Sequence, residues 1–105
     1  METPNFNYIK QLSGGDLSFE NQLLNVIQDE FPKEKETYYN SVEKGETKAI
    51  AEIVHKLKHK ISILGLEKSY ETAILYEESL NEGEFEYQKE FEDILTIMTS
   101  FLASL

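Results

Sequence analysis

The chain contains two histidines, and both stand in one short segment, HKLKHKISILG at residues 55–65. Residues four apart on a helix lie on one face, so His55 and His59 are neighbours if this segment is helical. Two imidazoles in that relation could share a metal ion, or one of them could act as a nucleophile near neutral pH. Glu52 and His55 also form a Glu-x-x-His pair, the pattern of di-iron bundles. That architecture requires a second Glu-x-x-His, for which no histidine remains. Lys56, Lys58 and Lys60 would also repel a cation. A metal site at His55 and His59 is therefore the weaker alternative. No Ser/His/Asp arrangement or pair of carboxylates stands out, and no cysteine is present, so neither hydrolysis nor thiol chemistry is indicated.

The elements that must hold these residues follow from the few chain breakers, which are Pro4, Pro32 and five glycines. The spacing predicts a short lead-in helix over 6–12, a turn at LSGGD (12–16) with Asp16 as N-cap, and a helix over 17–31. In that helix Leu17, Leu24, Ile27 and Phe31 form a stripe widened by Phe19, Leu23 and Val26. Pro32 marks a first turn or a mild kink, and a further piece over about 33–44 ends at Gly45. Residues 46–64 give the clearest pattern, with Ile50, Ile53, Val54, Leu57, Ile61 and Leu64 at steps of three and four. Gly65 stands where a terminating glycine belongs. Further helices are expected over 67–81, with Tyr70, Ala73, Ile74 and Leu80 inward, and over 84–104, with Phe85, Phe91, Ile94, Leu95, Met98, Phe101 and Leu102 inward. No segment alternates as a strand would. The predicted fold is all-α, an antiparallel four-helix bundle with a short N-terminal helical extension, formed by residues 1–105 as one domain.

On a wheel of about 100° per residue, Ala51, His55, Lys58 and Ser62 form a stripe beside the apolar face of the 46–64 helix. His55 is thus expected at the edge of the core with one side in solvent. The small side chain of Ala51 leaves room for another molecule, and Lys58 is within reach of whatever binds His55. The helix dipole accounts for Lys56 and Lys60, since cations are favoured near a helix C-terminus.

Composition narrows the partners. The formal charge is −10, and the ten basic residues are all lysines. A chain this acidic, without arginine, is a poor match to nucleic acid. No apolar run approaches a membrane span, and the opening METPNFNYIK has neither a basic n-region nor an apolar h-region. Together with the lack of cysteine, these features lead us to expect a cytoplasmic location. The ten acidic residues between 67 and 93 read as a solvated face.

At this point the sequence resembles the histidine-containing phosphotransfer (HPt) domains of phosphorelays. Their motif is a histidine followed by Leu two on, Lys three on, usually Gly four on, and Gly ten on. His55, Leu57, Lys58 and Gly65 match it, while His59 replaces the first glycine. LSGGD at 12–16, Phe19, Leu23-Leu24, Phe31-Pro32, EKGE at 43–46 and NEGE at 81–84 also have counterparts, so the resemblance covers about residues 8–105. It implies a bundle without kinase activity of its own. Such a domain takes a phosphoryl group from the phospho-aspartate of one receiver domain and passes it to the aspartate of another.

The resemblance makes His55 the acceptor through its distal ring nitrogen and Lys58 a stabiliser of the phosphoryl charge. Ala51, His59 and Ser62 would lie where the partner docks, and Gly65 would end the helix. No cofactor of its own is implied, and magnesium would belong to the receiver. Counted from His59, Ser62 and Ser69 stand where lysine and glycine are required, so His59 is not the expected acceptor. A helical interaction module without phosphotransfer is the principal alternative.

Overall fold

A computed structural model describes residues 2–105. Among the described residues there are five helices and no strand: α1 (Asn7–Ser13), α2 (Leu17–Lys44), α3 (Thr47–Ile63), α4 (Glu67–Asn81) and α5 (Gln88–Ala103). The all-helical expectation holds. The long axis of the molecule is 43 Å, about the length of α2, whose 28 residues rise 1.5 Å each.

Local chemistry sets most boundaries. Asp16 caps α2 by accepting from the Phe19 backbone N–H at 3.2 Å. Gly45 ends the same helix in the left-handed region, with φ 69°, which glycine enters without steric cost. The end of α3 is a two-bond cap in which Leu66 N–H donates to Ile61 O at 3.2 Å and Gly65 N–H to Ser62 O at 3.0 Å. This pairing requires a left-handed residue between helix and exit, and Gly65 supplies it with φ 76°. The N-terminal strap crosses the same corner, where Asn5 N–H donates to Leu64 O at 2.9 Å.

The core is built mainly by α2 to α5. Ile27, Phe31 and Tyr38 come from α2, Ile50, Ile53, Val54, Leu57 and Ile61 from α3, Ala73, Tyr76 and Leu80 from α4, and Phe91, Ile94, Leu95 and Met98 from α5. Helix α3 sits centrally in this packing, meeting α4 most extensively and α2 next. The Tyr38 and Tyr76 hydroxyls meet at 2.9 Å inside the core, and Tyr38 also donates to Glu92 Oε2 at 2.9 Å. Their polar ends are thereby satisfied, as burial demands. Burial, each other's hydroxyl and the nearby Glu92 carboxylate hold the Tyr38 phenol well above its ordinary range.

Four sequence expectations are corrected. Residues 17–31 and 33–44 form one helix that runs through Pro32. The missing proline N–H removes one helical bond, but Phe31 and Tyr38 bury their side chains on either side of it and hold the helix continuous. The last helix begins at Gln88 rather than near 84. Residues 84–87 form a turn in which Tyr87 takes φ 72° and Glu86 N–H donates to Ser79 Oγ at 2.8 Å. Phe85 consequently points outward, as do Leu17, Phe19 and Val26 at the N-terminal end of α2. Lys60 is not a solvated cation answering the helix dipole. It is buried, and its ammonium is 3.0 Å from both Glu30 Oε1 and Glu34 Oε2 of α2.

Candidate functional site

Helix α3 carries the candidate residues, and polar contacts on both of its flanks support its rotational setting. On the α2 side, burial alone would lower the Lys60 pKa, but the carboxylates of Glu34 and Glu30 outweigh it and hold the pKa above the ordinary lysine value. On the α4 side, one carboxylate does the work of two. Glu77 Oε2 lies 3.1 Å from His55 Nδ1, and Glu77 Oε1 accepts from Lys58 Nζ at 2.9 Å. Between these two flanks the apolar face of α3 is fully covered, and His55 is left at the edge with its side chain 54% exposed.

The bridge decides what the imidazole can do. An ionised carboxylate only accepts hydrogen bonds, so Nδ1 must carry the proton shared with Glu77. In the neutral ring, the lone pair then resides on Nε2, the nitrogen with no hydrogen-bond partner among the described residues. A carboxylate in this position also stabilises positive charge that develops on the ring when Nε2 attacks an electrophile, the role a buried aspartate plays toward histidine in hydrolase triads. Such an arrangement can serve as an oriented nucleophile at the surface.

The other residues expected at the site fall around this bridge. The Lys58 side chain is mostly buried, at 14% exposure, and its ammonium also lies 5.9 Å from the centre of the Tyr70 ring. It reaches the site as one half of an ion pair. Ala51 is buried, so it offers little contact area to any docking molecule; instead it floors a groove of about 420 Å³ walled by Lys48, Glu52, His55, Lys56 and Glu77. His59 is exposed, and its ring centre stands 5.0 Å from that of His55 at an interplanar angle of 89°. Ser62 is half-buried two turns from His55, and Gly65 terminates the helix beyond it. A more apolar groove between α2 and the end of α5, lined by Phe31, Pro32, Lys35, Thr99 and Leu102, includes none of these residues.

Glu77 is the participant that sequence reasoning missed. It belongs to the acidic stretch taken as a solvated face, yet only 19% of its side chain is exposed. The available signal was its position three and four residues beyond Ile74 and Ala73, beside the apolar stripe of α4. Among the described residues, no three His, Asp or Glu side chains converge as a metal site, and no helix is long and apolar enough to cross a membrane. Comparison with protein-family models, curated proteins and solved structures gives no match.

Proposed function

We propose that this chain is a phosphorelay intermediate of the HPt type, in which α2 to α5 make an antiparallel four-helix bundle and α1 is its N-terminal extension. His55 accepts a phosphoryl group from the phospho-aspartate of a receiver domain and passes it to the aspartate of another. The observation that carries this reading is the setting of His55, half-exposed in mid-helix with Nδ1 held by Glu77 and Nε2 without a hydrogen-bond partner among the described residues. The reading has the protein working in the cytoplasm, alone or within a sensor kinase, without kinase activity of its own.

Nε2 attacks phosphorus in line, the O–P bond of the acyl phosphate breaks, and the receiver aspartate departs as a carboxylate. The proton on Nδ1 stays in its bond to Glu77, so the phosphorylated ring is cationic and faces a negative charge. Phosphoryl transfer depends mainly on positioning and electrostatics, which suits a site with no activating triad. An ammonium has three donors, so Lys58 keeps N–H groups for the phosphoryl oxygens while bound to Glu77. In the return step the N–P bond breaks toward a second receiver aspartate, and the neutral ring is restored. Magnesium and the acyl phosphate belong to the receiver.

The test is incubation with phosphorylated receiver domains, comparing the native chain with His55→Gln and His59→Gln. Acid-labile label should appear on the native chain and on His59→Gln and be absent from His55→Gln. Label that survives His55→Gln overturns His55 as the acceptor, and no label with a panel of receivers defeats the proposal and leaves the interaction module as the better reading.

A further inference from the structure

We infer that His59 is a second ligand for the phosphoryl group carried on His55, donating a hydrogen bond that lengthens the life of the phosphorylated state. This inference rests on the phosphotransfer reading and concerns the same site.

The argument begins with helix geometry. Side chains on a helix lean toward its N-terminus, so the imidazole at 59 lies back over the turn that carries residue 55. The rings meet edge to face, 5.0 Å between centres. His55 Nδ1 and Lys58 Nζ each hold an oxygen of Glu77, and the Lys58 ammonium keeps further N–H groups of its own. His55 Nε2 and both nitrogens of His59 have no hydrogen-bond partner among the described residues.

A phosphoryl group on Nε2 adds three strong acceptor oxygens at this spot. Every protonation state of His59 has at least one N–H to offer them, and a hydrogen bond to a charged oxygen is stronger than a neutral one. As the N–P bond loosens, the phosphoryl group becomes metaphosphate-like and its oxygens become weaker acceptors. A donor placed on them therefore favours the bound state over the departing one. His59 also covers one approach to phosphorus from the C-terminal side of α3, which slows attack by water.

Phosphoramidate is the probe, because it needs no receiver. Nε2 attacks its phosphorus, the P–N bond of the reagent breaks, ammonia departs, and the new P–Nε2 bond forms. After the reagent is removed, the decay of phosphohistidine is followed by phosphorus NMR in the native chain, His59→Ala and His59→Gln. Loss of one hydrogen bond of ordinary strength predicts decay about five-fold faster in His59→Ala. Glutamine, whose amide also donates, should recover a substantial part. Equal lifetimes in native and His59→Ala overturn the inference while leaving the phosphotransfer reading intact, and so does label carried by His59 itself. No label on the native chain, from phosphoramidate or from phosphorylated receivers, defeats both. His59 is exposed, so neither substitution threatens the fold, and unchanged thermal unfolding confirms that the comparison is fair.

Discussion

Glu77 lies 22 residues beyond His55 in the chain yet places Oε2 3.1 Å from its Nδ1, so the candidate nucleophile is oriented from a different helix. Replacing Glu77 by Ala removes both the acceptor that fixes the ring and the negative charge facing it. Loss of a hydrogen bond to a charged group predicts a fall in the initial rate of His55 labelling of about ten-fold or more. Glu77→Gln can still accept from Nδ1 through its amide oxygen, and should fall in between. Equal labelling rates in all three proteins would remove Glu77 from the mechanism.

The reach of the sequence followed the range of each interaction. Asp16, Gly45 and Gly65 were legible because a cap or a left-handed residue is a property of a few adjacent positions. The buried face of α3 was legible because its period is local. Pro32 misled because its cost is local while its compensation, burial of Phe31 and Tyr38, is tertiary. Phe85 misled because an apolar residue beside a glycine turn fits a helix start as readily as a loop. Glu77, Glu30 and Glu34 were hidden for a shared reason, since pairing across helices depends on which faces meet and no spacing along one helix encodes it.

Lys60 offers a test of the α2–α3 clamp. Its side chain is 11% exposed and its ammonium meets two carboxylates, and Glu34 Oε1 is buried with no hydrogen-bond partner among the described residues. Lys60→Met leaves Glu34 beside the core without its counter-charge, which costs about 3 kcal/mol. Adding Glu34→Gln should recover part of the loss, and urea unfolding of the two single variants and the double reads the coupling. Because the Lys60 pKa is raised in the folded state, its contribution is fully present below the ordinary lysine pKa and fades as pH rises through the higher folded value. The native chain should therefore lose stability at alkaline pH more steeply than Lys60→Met.

Glu2 has the opposite sign. Helix α4 receives no side-chain cap from Leu66, and the Glu2 carboxylate takes that role, accepting from the Lys68 and Ser69 backbone N–H groups at 2.8 Å each. Burial would raise its pKa, but the two backbone donors win and hold it below the ordinary carboxylate value. Its stabilisation is thus present above that ordinary value and disappears as pH falls through the lower folded one. Glu2→Ala should cost about 1 kcal/mol at neutral pH, with the difference from the native chain closing in acid. A difference that persists undiminished at low pH would mean the loss arises from packing of the strap and not from the charge.

Lys58 and Lys89 separate a local electrostatic role from a general one. Both are cations paired with a carboxylate, but Lys58 is 14% exposed against Glu77, whereas Lys89 is 83% exposed against Asp93. An exposed pair of the second kind contributes little and is screened by salt. Reversing Lys58 to Glu sets a second carboxylate against Glu77 and puts negative charge beside the phosphoryl group, so phosphotransfer from a receiver should slow by about a hundred-fold. Reversing Lys89 to Glu changes the net charge by the same amount and should leave the rate within about two-fold. Lys58→Met removes the ammonium without adding a repulsion and should fall between the two. If reversal at 58 and at 89 slow transfer equally, the effect belongs to the overall charge of the chain and Lys58 has no special role at His55.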